Sequence, residues 1–307
     1  MPSEESDRNL SLNADHFLWP VFVARETLRN TSTLPPFFSI AYGMDDVIGA
    51  AHRATTLGLG GLVLYELGCE KSSNAASSLD PEGIIPEALR TISEHYPDLL
   101  TVSDLCVCQY TVDSHCRING DCQQTSDHLL KQAALYLNSG AKALMPSAMI
   151  PHFSKTLREW SLTEFGAAPV IISQTAKFAS PLYSPFRSSE AMRPQVDKHE
   201  YQIAQYDTDL ALTLLSDEQS GGADLALIKP GIAYSDLLRT AVQSFPGQQF
   251  GAFITSGEHQ LLIELEAKIG APNFLLKSTI SSLITQGARY IVTYQADKLV
   301  EEFQKFS

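Results

Sequence analysis

The chain is expected to fold as an α/β protein, a closed (β/α)8 barrel of the TIM type with an N-terminal extension. Three observations predict this. Eight short β-branched or apolar runs recur along the 307 residues. Amphipathic stretches separate them, and strict alternation of this kind builds a parallel sheet. Eight such units in a chain of this length favour a closed barrel over an open doubly wound sheet. No GxGxxG follows the first run and no GxxxxGK[ST] occurs, so the phosphate loops of nucleotide-binding open sheets are not in the sequence.

The eight runs are FFSIAY (37–42), GLVLYE (61–66), LTVSDLCV (100–107), KALMPS (142–147), VIISQT (170–175), LALIKP (225–230), QFGAFIT (249–255) and YIVTYQ (290–295). Between them DDVIGAAHRATTLG, PEALRTISEHY, SDHLLKQAALYLNSG, YSDLLRTAVQSF and EHQLLIELEAKIG space their apolar residues as helices do. TLGLGGLVL and LNSGAKAL each read as helix end, glycine, then strand. Residues 1–36 are expected to form an N-terminal arm and 37–307 the barrel. The arm's patch HFLWPVFV is apolar enough to need burial, on the barrel or on a neighbour.

Composition narrows the function. With 44% apolar and 19% charged residues the chain is ordinary globular protein with ample length for a core. A formal net charge of −13 suits no phosphate backbone, so nucleic acid is not expected as a partner. No apolar run approaches the roughly 18 residues that cross a bilayer. The polar, acidic start MPSEESDRNLSLNADHF has no features of a signal or transit peptide, so a cytoplasmic location is expected. The five cysteines are odd in number and four lie close together, which fits metal binding in a reducing compartment better than disulfides.

The chemistry gathers at the expected strand ends, where a barrel keeps its active site. Lys177 and Lys229 each follow an apolar run. A desolvated amine beside another cation loses its proton and becomes a nucleophile toward carbonyls. Two such amines point to Schiff-base chemistry. In DLCVCQYTVDSHC, strand alternation puts Asp104, Cys106 and Cys108 on one face, and Cys116 follows after enough loop to fold back. Three thiolates bind Zn²⁺ and leave a fourth position for water or substrate, unless Cys122 or His115 closes it. Ser147, Ser256, Glu258 and Tyr294 end other strands. The long segment after Lys177 carries Tyr183, Arg187, Arg193 and Lys198, and reads as a cationic lid over an anionic substrate.

These motifs together resemble the porphobilinogen synthase (5-aminolevulinate dehydratase) family, from about Phe22 to Leu299. SQTAKFASPLYSPFR resembles the family's first lysine segment and ALIKPGIAYSD its second. DLCVCQYTVDSHC resembles the zinc-type cysteine segment, ITSGEH the SGE turn and YIVTYQA the last strand. The resemblance implies a (β/α)8 lyase of tetrapyrrole (heme) biosynthesis that condenses two 5-aminolevulinate molecules. It implies Schiff bases on Lys229 for the first-bound substrate and on Lys177 for the second, with Asp104 as a nearby acid or base. It further implies zinc on Cys106, Cys108 and Cys116, and leaves a further Mg²⁺ site open. Arg187 and Lys198 would hold one substrate carboxylate, and Ser256 and Tyr294 the other. Gln202, Tyr183 and Ser147 would line the pocket. The family builds octamers through its N-terminal arm, so a homo-oligomer is expected, octameric or smaller because the arm looks shorter here.

The departures from the pattern are local. Lys198 stands where the family usually has a second arginine. PSAMIPHF replaces PSDMMDGR, which puts Ala148 for an aspartate and Pro151-His152-Phe153 for Asp-Gly-Arg. IAYG replaces SMPG. These losses motivate the alternative of a degenerate, non-catalytic paralogue that binds a ligand or a partner.

Overall fold

The protein is described by a computed structural model that covers residues 13–29, 34, 40–187 and 198–305. Eight parallel strands close a barrel: β1 Phe17–Val23, β2 Gly61–Glu66, β3 Thr101–Leu105, β4 Ala143–Pro146, β5 Val170–Lys177, β6 Leu225–Lys229, β7 Gln249–Phe253 and β8 Tyr290–Val292. Each pairs with its sequence neighbours, and β1 closes the ring against both β2 and β8. The helices outside are α1 Val47–Leu57, α2 Ile84–His95, α3 Cys122–Asn138, α4 Phe153–Phe165, α5 Thr208–Gly221, α6 Ser235–Ser244, α7 Ser256–Ile269, α8 Phe274–Thr285 and α9 Ala296–Lys305. Among the described residues no helix is long and apolar enough to cross a membrane.

The first strand is not where the sequence suggests. All seven residues of Phe17–Val23 are buried, and strands buried on both faces read as continuous apolar runs. The run at 37–42 supplies only Ile40–Ala41, which pairs antiparallel with Leu28–Arg29 in a small ribbon at the barrel mouth. The apolar patch read as part of an arm is therefore the strand that closes the barrel. Residues 1–12 of that arm lie outside the described residues.

Two cores follow from strand alternation. Leu18, Val63, Val102, Met145, Ile172, Leu225 and Leu227 fill the lumen. The residues between them on each strand pack outward against the helices, as Leu62, Leu64, Ile171 and Ile228 do. Helix ends follow their sequence signals. α1 stops at Gly58 in the left-handed region at φ 70°. α3 starts at Asp121, whose carboxylate accepts from the Gln123 and Gln124 amides.

Candidate active site

Lys177 ends β5 and Lys229 ends β6, and the two are direct partners in the parallel register. That pairing depends on a bulge. The register shifts between Ser173 and Ala176, so β5 carries one residue more than β6 there. Ile172 and Gln174 point into the lumen by ordinary alternation, which would turn Lys177 outward. The extra residue restores it to the lumen beside Lys229.

Lys177 is buried and its Nζ donates to the Ser147 carbonyl at 2.8 Å. Lys229 Nζ lies 3.5 Å from the Phe253 ring centroid and 3.4 Å from Gln174 Oε1. Burial, then the charge of Lys177, pushes the Lys229 amine well below the ordinary lysine range, against the opposing pull of Asp104. The ring face and the amide oxygen each favour an ammonium, but neither is a countercharge, so desolvation wins. Asp104, on β3, is pushed the other way. Burial raises its carboxyl, and a hydrogen bond with Ser147 and the two lysines only partly offset this. Burial thus pushes an amine and a carboxyl at one mouth toward their uncharged forms.

The sulfurs of Cys106, Cys108 and Cys116 lie within 4.8 Å of one another. β3 ends at Leu105, so strand alternation does not bring Cys106 and Cys108 together. A turn does, with the Tyr110 and Thr111 amides both donating to the Val107 carbonyl. Cys116 accepts from Cys106 and Cys108, which pulls its pKa well below the usual thiol range against the opposing effect of burial. Lys198 Nζ donates to Cys116 Sγ at 3.3 Å. Burial works against the Lys198 charge, but the facing sulfurs of Cys108, Cys116 and Cys106 outweigh it and raise its pKa. Neither Cys122 nor His115 belongs to the group among the described residues. Three soft donors, Cys106 and Cys116 buried and Cys108 half-buried, with a cation at hand fit a thiophilic metal such as zinc.

On the other side of the mouth, Arg187 donates to Gln202 Oε1 at 3.2 Å and stacks 4.5 Å from the Tyr183 ring centroid. The Tyr183 hydroxyl donates to the carbonyls of Phe178 at 2.9 Å and Lys229 at 3.1 Å, tying the lysine strands to the segment that follows. Ser256 Oγ accepts from the Phe186 amide at 3.1 Å. Gly257 allows this closeness, since a Cβ there would lie 2.6 Å from the Leu182 carbonyl oxygen. Ser256, Tyr294, Lys229, Tyr65 and Phe253 share a slot of about 40 Å³. Arg193 lies outside the described residues. Sequence reasoning missed Tyr65, Gln174 and Phe253. All three have lumen parity, but in strands buried on both faces parity leaves no polar alternation to read.

Fold and site together define a class: (β/α)8 barrel enzymes with two lysines paired in register beside a thiol cluster. The comparisons narrow it. The family model described as delta-aminolevulinic acid dehydratase matches residues 3–302. A delta-aminolevulinic acid dehydratase of Methanothermus sociabilis is 30% identical over 305 residues, covering 96% of this chain and 93% of that protein. One of Bacillus subtilis is 28% identical over 305 residues, covering 95% and 92%. The crystal structure of the Toxoplasma gondii enzyme, also called porphobilinogen synthase, in complex with its product porphobilinogen, superposes with a TM-score of 0.86. It is 26% identical and covers 97% of this chain and 87% of that one. The chain belongs to the delta-aminolevulinic acid dehydratase family.

Proposed function

We propose that this protein condenses two molecules of 5-aminolevulinate into porphobilinogen, with loss of two waters, through Schiff bases on Lys229 and Lys177. The observation that carries the reading is the in-register pair of amines at the ends of β5 and β6, Lys177 buried and Lys229 half-buried. Two substrates that each bear a ketone need two such amines. Neutral Lys229 Nζ attacks the first ketone, the C–N bond forms and the carbonyl oxygen leaves as water. Asp104, whose carboxyl burial makes harder to ionise, is the acid at this mouth that can hand over the proton this oxygen needs. Lys177 forms the second imine in the same way. The carbon beside the Lys177 iminium then loses a proton, and the enamine so formed bonds to the imine carbon of the other substrate. Lys229 is expelled as an amine, and the first substrate's amino group displaces Lys177. The only waters lost are the two released on forming the imines.

The charged groups sort the two substrates. Ser256 and Tyr294, in the slot with Lys229, suit the first carboxylate. Arg187, oriented by Gln202 and Tyr183, suits the second as a bidentate fork. Lys198 adds a positive charge there while neutralising Cys116. Cys106, Cys108 and Cys116 would hold zinc, which when bound supplies Lewis acidity for the second substrate's carbonyl. An exposed apolar stripe of Leu261, Leu265, Ile269 and Phe274 supports a homo-oligomer.

The test is porphobilinogen formation by the purified protein with zinc and again with a chelator. Zinc-dependent product is expected, with turnover down at least about 1000-fold in Lys229→Ala, because a lost covalent nucleophile costs several powers of ten. Folded, zinc-loaded protein that forms no product would overturn the assignment in favour of the non-catalytic paralogue. Ala148, buried against the core, and His152, in the left-handed region at φ 55°, would then be the first departures to restore.

A further inference from the structure

Gln174 is 1% exposed, lies in the lumen just below the two lysines, and has no role in the reading above. Its Oε1 accepts from Lys229 Nζ at 3.4 Å. Its Nε2 has no partner in good hydrogen-bond geometry among the described residues, and neither has the Tyr65 hydroxyl. Tyr65 reaches over from β2, and the Gln174 amide beside it eases the ionisation that burial opposes. A buried carboxamide between an amine and a phenol is costly to keep unless it serves them. The bulge in β5 sharpens the point, because it lets Gln174 and Lys177 face the lumen from one strand.

We propose that Gln174 is a positioning residue for Lys229, its carboxamide oxygen holding Nζ toward the slot shared by Tyr65, Phe253 and Tyr294. The inference rests on Lys229 being the reactive amine of the proposed function. A carboxylate at 174 would hold the amine equally well but would keep it protonated. A hydrocarbon would leave it neutral but free to rotate. The amide is the side chain that orients without adding charge. The other groups that face Lys229 are Lys177 on β5, Asp104 on β3, Cys108 on the turn after β3 and Arg187 beyond β5. The phenols of Tyr65, Tyr183 and Tyr294 also surround it. Glu258, at the start of α7, has both oxygens committed to amides and the Thr255 hydroxyl.

The test is competitive acetylation of the full chain with acetic anhydride from pH 5 to 11. Peptide mass spectrometry reads Lys229 and Lys177 separately, and no substrate is needed. In Gln174→Glu the midpoint for Lys229 should rise by about 1–3 pH units, the usual effect of a neighbouring opposite charge. In the near-isosteric Gln174→Met it should fall, and kcat should drop about tenfold or more with KM little changed. The shift at Lys229 should exceed that at Lys177 in both variants. Equal midpoints for Lys229 in all three proteins, with equal kcat in Gln174→Met, would overturn the proposal. So would shifts of the same size at both lysines. Failure of the proposed function is a separate result: no porphobilinogen from the wild type, with the ordered series of Lys229 midpoints intact.

Discussion

At the scale of single residues, burial sets the protonation states, and its effects reach beyond the lysines. Glu66 ends β2 and is 7% exposed. Desolvation raises its carboxyl from 4.5 to about 7, while the Tyr110 hydroxyl, donating at 2.9 Å, and Arg25 pull it back. The folded protein therefore binds this proton more tightly than the unfolded chain. The resulting stability is fully present below about pH 4.5 and is lost as pH rises toward 7. The loss is on the order of 3 kcal/mol, from about 1.36 kcal/mol per pH unit. Glu66→Gln keeps an acceptor for Tyr110 and removes the charge. Thermal melts should then give the two proteins similar midpoints at pH 4.5, with the variant several degrees higher at pH 8. A constant gap between the two curves across this range would mean that Glu66 ionises normally. Other buried acids shift the absolute curves, but the difference isolates Glu66. The site was legible at this scale where chemistry is local in sequence. Lys177, Lys229 and the three cysteines stand out by type and spacing. Gln174 and Tyr65 do not, because their meaning comes from facing residues on other strands.

At the scale of elements, the devices that aim side chains are turns, bulges and caps. T-x-x-E in TSGEH has the spacing of a helix capping box, and α7 begins with one. Glu258 Oε2 accepts from the Thr255 amide at 2.8 Å and its hydroxyl at 2.9 Å. The other oxygen does more than cap. Oε1 accepts from the amides of Ile232 and Ala233, both at 2.8 Å, on the loop that leaves β6 just after Lys229. One carboxylate thus joins a helix start to the backbone behind Lys229. Glu258→Gln turns an acceptor into a donor that faces N–H groups. It should cost about 2–3 kcal/mol, since buried donors are left unmatched. Urea unfolding measures this, and a loss below about 0.5 kcal/mol would mean that the loop is held by other contacts. The cap could be read from the sequence, whereas its tie to the β6 loop is a long-range contact that no local pattern encodes. The bulge in β5 was equally hidden. One extra residue in VIISQTAK leaves no trace until β6 is beside it to set the register.

At the scale of the whole molecule, closure was the difficult feature to read. The alternation that predicts a barrel finds its eight runs between 37 and 295 and leaves the apolar patch HFLWPVFV to the arm. FLWPVFV was passed over as an arm, and Pro20 within it argues locally against a strand. The difference is global. Trp19 pairs in register with Leu62 and Leu18 with Val292, so this segment alone reaches both open edges of the sheet. Unpaired edges are a liability that a barrel removes by closing. Phe17, Leu18, Trp19, Val21, Phe22 and Val23 are each at most 5% exposed. At about 1.5–3 kcal/mol for each buried apolar side chain, the strand contributes on the order of 10 kcal/mol. Net stabilities of folded domains are only about 5–15 kcal/mol. A chain that begins at residue 37 is therefore expected to lose its cooperative thermal transition and to bind a hydrophobic dye. Substituting Phe22 by Ala in the full chain should keep the transition at a lower temperature, because it removes one side chain and leaves the ring closed. Calorimetry and dye fluorescence on the two proteins decide the matter. A native-like, cooperative melt in the truncated chain would return Phe17–Val23 to the status of a dispensable arm and leave the barrel to close without it.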